Sequence, residues 1–169
     1  PDWCVESAYS PDGKIIAYSR YQSGEEQGNL AAAGEIGFIN TATKSPQVIT
    51  GTASWPGRQP GWSPDGAYLT FYDPAGNGIR LVERESGQET LLGGIAGETG
   101  SWSPDGKRIL YPLRQEAGLQ PATQLVIAVL DTRKIEALET PPGTIQEFST
   151  PAWSPDGSWI ALSRRLTGG

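Results

Sequence analysis

Apolar side chains recur at every second position over short runs of this chain. Ile16/Tyr18, Leu69/Phe71, Ile109/Tyr111 and Ile160/Leu162 point to one side of a strand, and Ala17, Thr70, Leu110 and Ala161 to the other. Both sides are apolar or small, which is the pattern of a sheet sandwiched between neighbours; a sheet with one wet face would show a polar side. No segment carries the 3.6-residue period of an amphipathic helix. Third strands are predicted at Glu35 to Asn40, Ile79 to Glu83 and Gln124 to Asp131. Short polar turns then lead to fourth strands at Gln47 to Ile49, Glu89 to Leu92 and Ile135 to Leu138.

The alternating runs are preceded by a repeat: YSPDGKIIAYS from Tyr9, WSPDGAYLTFY from Trp62, WSPDGKRILYP from Trp102 and WSPDGSWIALS from Trp153. Its serines, Ser10, Ser63, Ser103 and Ser154, stand 53, 40 and 51 residues apart, near the ~40 to 50 residues of a four-stranded propeller blade. Each copy reads as a hairpin turn. Pro11, Pro64, Pro104 and Pro155 preset φ, and Asp12, Asp65, Asp105 and Asp156 tolerate the next position. Gly13, Gly66, Gly106 and Gly157 supply the left-handed residue that ends the turn. The expectation is an all-β propeller of three complete four-stranded blades, at about residues 3–50, 59–92 and 98–139. The inner hairpin of a fourth follows at about 148–165. Three and a half blades would leave sheet faces and strand edges open. The remaining blades are therefore expected from a longer parent chain or from another subunit.

These Trp-Ser-Pro-Asp-Gly segments resemble the WD40-like repeats of TolB-type β-propellers, with Trp62, Trp102 and Trp153 matching the signature aromatic and Tyr9 replacing it in the first copy. Recurring at one position, the three tryptophans are expected to wedge between blades. The resemblance implies a non-catalytic scaffold that binds a protein or peptide, in the bacterial periplasm or outside the cell. It also admits the substrate-gating propeller of a prolyl-oligopeptidase-like or tricorn-like peptidase whose hydrolase domain lies outside these residues. A glycan-binding propeller is a third possibility.

Composition narrows the chemistry. The chain has no His, which removes Ser-His-Asp and Cys-His nucleophile systems and His-ligated metals from these 169 residues. Cys4 is the single cysteine and is expected to be a packed thiol in the first inner strand. Glu25/Glu26 and Glu83/Glu85 are carboxylate pairs in polar turns, read as solvated surface charge. The motif aspartates stand singly in tight turns and do not converge as a calcium site requires. Gly24, Gly28, Gly76 and Gly78 are loop glycines with no strand-to-helix element behind them, so no phosphate cradle, cofactor or metal is expected. A net charge of -6 and a pI of about 4.7 oppose nucleic-acid binding. The longest aliphatic stretch, Leu125 to Leu130, is too short to insert in a membrane. The absence of Met implies that residues precede Pro1 in the gene.

Antiparallel topology assigns the long connections, Tyr21 to Gly34, Gly51 to Pro60, Pro112 to Thr123 and Thr140 to Glu147, to the end of the sheets opposite the motif turns. Trp55, exposed beside Pro56 and Gly57, is expected with Arg58 to form a partner-binding spot, joined by Tyr21, Tyr72 and Arg114 at strand ends.

Overall fold

In the computed structural model, which describes residues 3–21, 34–49, 55–94, 99–115, 122–138 and 145–166, the four motif segments close four hairpins with the same bonds. The serine hydroxyl donates to the aspartate Oδ1 two residues on, at 2.6 Å in Ser10–Asp12, Ser63–Asp65 and Ser154–Asp156 and 2.5 Å in Ser103–Asp105. The same hydroxyl accepts the backbone N–H five residues on, at 2.9–3.0 Å, from Ile15, Tyr68, Arg108 and Trp159. The aspartate accepts the N–H of Lys14, Ala67, Lys107 or Ser158. The glycines sit at φ of 68°, 72°, 69° and 73°, where any side chain would be strained. The serine hydroxyl, and after it the backbone amide, hold the carboxyls of Asp12, Asp65, Asp105 and Asp156 below their ordinary value.

Fourteen strands are described: β1 Trp3–Tyr9, β2 Ile15–Tyr21, β3 Glu35–Asn40, β4 Trp55–Pro56, β5 Arg58–Trp62, β6 Tyr68–Asp73, β7 Gly78–Glu83, β8 Glu89–Gly94, β9 Ser101–Trp102, β10 Arg108–Gln115, β11 Ala122–Val129, β12 Lys134–Ala137, β13 Ile145–Trp153 and β14 Ile160–Leu166. They form three four-stranded sheets, β1–β4, β5–β8 and β9–β12, and the two-stranded hairpin β13–β14. The described pairings are antiparallel. This is the expected architecture of three blades and an inner hairpin.

Two expectations about the connections are corrected. The outer strand of the first sheet is interrupted: Pro46 bridges Ile39 and the Gln47 N–H donates to the Phe38 carbonyl, but the regular pairing is Trp55–Pro56 against Ile36 and Glu35. The long connections are also shorter than the alternation suggested, because 58–60, 112–115, 122–123 and 145–147 lie within strands. Backbone groups at those positions take ladder partners, the lowest-energy place for them once neighbouring strands are in register.

The chain divides into two compact units, Pro1–Gly93 and Gly94–Gly169. In the first, the sheets pack face to face over a core of Ile15, Ala17, Ile36, Phe38, Ile49 and Trp55 from one side and Trp62, Leu69, Phe71 and Val82 from the other. Trp62 is the wedge between them: its Nε1–H donates to the Ala8 carbonyl at 3.2 Å and Arg84 stacks 5.5 Å above its ring. In the second unit Leu110 and Leu125 are packed by Ile127, Leu138, Trp153, Ile160 and Leu162, and Arg108 lies 4.7 Å over the Trp153 ring. Trp102 ends β9 half-buried.

The packed thiol is corrected as well. Cys4 is exposed, because its pairing with Arg20 puts it on the face of the first sheet that turns away from Trp62, together with Ser7 and Tyr9. Tyr9 is 66% exposed there, although it holds the motif position that Trp62 fills in a core.

Candidate binding face

β1 runs into its motif turn and β2 returns from it, so Trp3 and Tyr21, paired at the far end, mark the loop end of the first sheet. Within the same unit, Trp55 opposite Ile36 and Arg58 opposite Tyr72 also lie at the loop end. The topology thus gathers Tyr21, Trp55, Arg58 and Tyr72 at one end of the first unit. Arg114 pairs with Thr123 at the loop end of β10 in the second unit; its side chain lies outside the described residues.

Trp55 does not present its ring to solvent. It is 7% exposed, edge-on to Phe38 at 5.6 Å and 86°, and tilted against Phe71 at 6.1 Å. Its Nε1–H donates to Glu89 Oε1 at 2.8 Å, which lets an indole be buried without an unpaired donor. The backbone at Gly57 makes this possible: a Cβ there would stand 2.5 Å from Phe71 Cδ2 and 2.8 Å from the Tyr72 carbonyl oxygen. Only glycine lets the chain pass this close between the sheets.

Glu89 leads to a second group that sequence reading did not single out. Its Oε2 accepts from Arg80 Nη1 at 3.3 Å, and Arg80 Nη2 reaches the buried Asp73 carboxylate. Asp73 also accepts the N–H groups of Ala75 and Gly76, both at 3.0 Å. Burial alone would raise the Asp73 carboxyl, but Arg80 and the two amides together hold it below its ordinary value. Asp-Pro-Ala-Gly-Asn-Gly at 73–78 is a turn signature that could have pointed to the aspartate; its pairing with Arg80 depends on the β6–β7 register.

Arg58 and Gln59 open β5 with a bulge between the Arg58 and Gly61 pairings. The Arg58 guanidinium carbon lies 4.9 Å from the centroid of Tyr72, whose hydroxyl donates to Asn77 Oδ1 at 3.4 Å. Gln59 holds φ at 56°, and its N–H is shared at 2.9 Å each between Glu6 Oε2 and Ser19 Oγ, while Ser19 donates to Glu6 at 3.0 Å. The side-chain atoms Arg58 Nε and Gln59 Oε1 are buried and have no hydrogen-bond partner among the described residues. Tyr21 is half-buried, its ring against Gly34.

Of the carboxylate pairs, Glu25 and Glu26 lie outside the described residues, as do Gly24 and Gly28. Glu83 accepts the Ser86 hydroxyl in the β7–β8 turn and Glu85 is exposed. Among the described residues no three carboxylates or thiols come together.

Sheets built from repeated Ser-Pro-Asp-Gly hairpins, with an aromatic before each serine, define a TolB-like β-propeller. TolB from Acinetobacter baumannii is similar over 99% of this chain and 39% of its own, at 26% identity and a TM-score of 0.67. A TolB-type protein of Agrobacterium tumefaciens is similar over 96% of this chain and 54% of its own, at 25% identity and a TM-score of 0.65. An uncharacterized peptidase, YuxL, of Bacillus subtilis is 25% identical over 163 residues, 96% of this chain. The chain spans 22% of that relative's length. No family model matches. No helix of the described residues is long and apolar enough to cross a membrane.

Proposed function

We propose that these blades form a non-catalytic scaffold whose loop end binds a protein or peptide, in the bacterial periplasm or outside the cell. The observation that carries this is the contrast between the ends of the first unit. At the turn end each hairpin is closed by its own serine and aspartate, whereas the loop end keeps a buried guanidinium over Tyr72 with no described acceptor for its Nε. Fixed polar groups on rigid strand ends are what recognition of another chain uses. Tyr9 at 66% and Trp159 at 76% exposure support further blades packing on those faces, from a longer parent chain or another subunit.

Titration with short peptides while following the melting temperature tests the proposal. Peptide at about 100 times its Kd stabilises the folded state by about 2.7 kcal/mol, which is readily measured. Soluble oligosaccharides are expected to leave the melting temperature unchanged, since the Trp55 ring on which a glycan site would rest is buried against Phe38 and Phe71. The reverse pattern would replace the peptide reading with the glycan one.

The peptidase name of the 25% identical relative favours a second reading, that these blades gate substrate access to a hydrolase domain elsewhere in a longer protein. A Gly-x-Ser-x-Gly segment within an α/β domain of the same gene would decide for it.

A further inference from the structure

We propose that the open face of the first sheet docks on the fourth hairpin of a second copy of this chain, in the manner that the second sheet docks on the first. This rests on the reading that further blades cover Tyr9 and Trp159, and it does not depend on what the loop end binds. Equivalent positions of the repeat define what each open face is shaped for. Tyr9, Ile16, Tyr18 and Ile39 of the first sheet stand where Trp62, Leu69, Phe71 and Val82 stand in the second. In the second sheet those four side chains are buried in the core shared with the first. In the first sheet Tyr9 is 66% exposed and the other three are half-buried, so a face built for packing is left open.

The receiving side recurs as well. The first sheet takes the Trp62 wedge beside its cross-strand pair Ala8–Ala17, with Ile15 in the same core. The fourth hairpin carries the pair Ala152–Ala161 at the same motif positions, and Trp159 at the position of Ile15. The second and third sheets have Gly61–Thr70 and Ser101–Leu110 there. Ala152, Ala161 and Trp159 are exposed, because the hairpin turns Trp153, Ile160 and Leu162 toward Leu110 and Leu125. Small side chains facing a large one let two sheets approach to core density, so this chain carries both halves of such a join. Charge favours the same docking. Between the first two sheets Arg84 reaches Asp12 at 4.0 Å. Asp156, the matching carboxylate of the fourth hairpin, has no ion pair among the described residues. In the first sheet Thr41 takes the place of Arg84, its N–H meeting the Lys14 carbonyl as that of Arg84 meets Ala67. Exposed Lys14 and Lys44 flank it and supply the cation for Asp156 of the other copy.

The test is the mass of the whole chain in solution as a function of concentration, with the rate of Cys4 thiol labelling read alongside, since Cys4 lies exposed on the docking face of the first sheet. The mass should rise from 18.0 kDa to at least twice that value, and Cys4 labelling should slow over the same range. Tyr9→Asp and Ala161→Glu each place a charge in one half of the contact, and each should weaken association at least about tenfold. Both positions are exposed in the single chain, so neither change touches its core. Mixed together, the two variants should associate again, because each retains the half that the other has lost. A mass of 18.0 kDa at every concentration up to about 100 μM would overturn the second copy as occupant and leave blades of a longer chain to cover both faces. Association that survives both substitutions, or that leaves Cys4 labelling unchanged, would put the contact on another surface and overturn the docking. Failure of the mixed variants to pair would overturn it as well.

Discussion

The two ends of the sheets are organised by different physics. At the turn end each motif serine takes partners two and five residues away, and Ser10, Ser63, Ser103 and Ser154 reproduce one another within about a tenth of an ångström. At the loop end of the first unit the decisive bonds join residues 34, 40 and 53 positions apart: Trp55 to Glu89, Gln59 to Ser19 and Gln59 to Glu6. Local chemistry repeats because each copy carries its own partners. Long-range chemistry differs from blade to blade because each contact needs two particular residues brought together by packing, and that is where recognition can diverge while the scaffold stays constant.

The largest test of this contrast is Trp55→Ala. Removal of a ring packed between Phe38 and Phe71 should cost about 3–5 kcal/mol in chemical denaturation. A loss under about 0.5 kcal/mol, the size expected of a surface position, would mean that the loop end is not tied into the core.

Asp73→Asn comes next, at about 1.5–3 kcal/mol near neutral pH, since it removes the charge from a buried hydrogen-bonded pair with Arg80. The sign of its pH dependence is fixed. The folded-state carboxyl titrates below the ordinary value of 3.8, so its stabilisation is complete above that value and is lost as pH falls through the lower folded one. Wild type and variant should therefore converge in acid; a gap that persists there would assign the loss to packing instead of charge.

The smallest effect separates copies of the same motif. Ser63 is fully buried and satisfies the Tyr68 amide, so Ser63→Ala should cost about 1–2 kcal/mol. Ser154→Ala, with the same bonds in a more exposed turn, should cost about half as much or less. Equal losses would show that the turn acts through its local bonds alone, whatever its burial.

Strand positions were legible because alternation and turn chemistry reach only a few residues: the third strand Glu35–Asn40 appears at its predicted limits, and each motif glycine has the left-handed φ its turn requires. The site was less legible. Trp55 belongs to a strand of two residues, too short for any period, and an aromatic beside Pro and Gly carries no mark of whether a neighbouring sheet covers it. Cys4 fell on the opposite side for the same reason: a strand has two faces, and which one meets the second sheet depends on register past the Cys4/Ser7 bulge. Arg58 and Tyr72 are legible as strand-end residues, but their stacking depends on the pairing of β5 with β6 across the bulge at Gln59.

The repeat, the turns and the all-β architecture are written in local sequence, because Ser, Asp and Gly at fixed offsets close each turn with one another's polar groups. Packing settles that Trp62 is a wedge while Tyr9 is open, that Trp55 turns inward, and that Arg58 is buried over Tyr72 with no acceptor for its Nε among the described residues. Burial is a property of what packs against a side chain, and that partner lies tens of residues away in sequence.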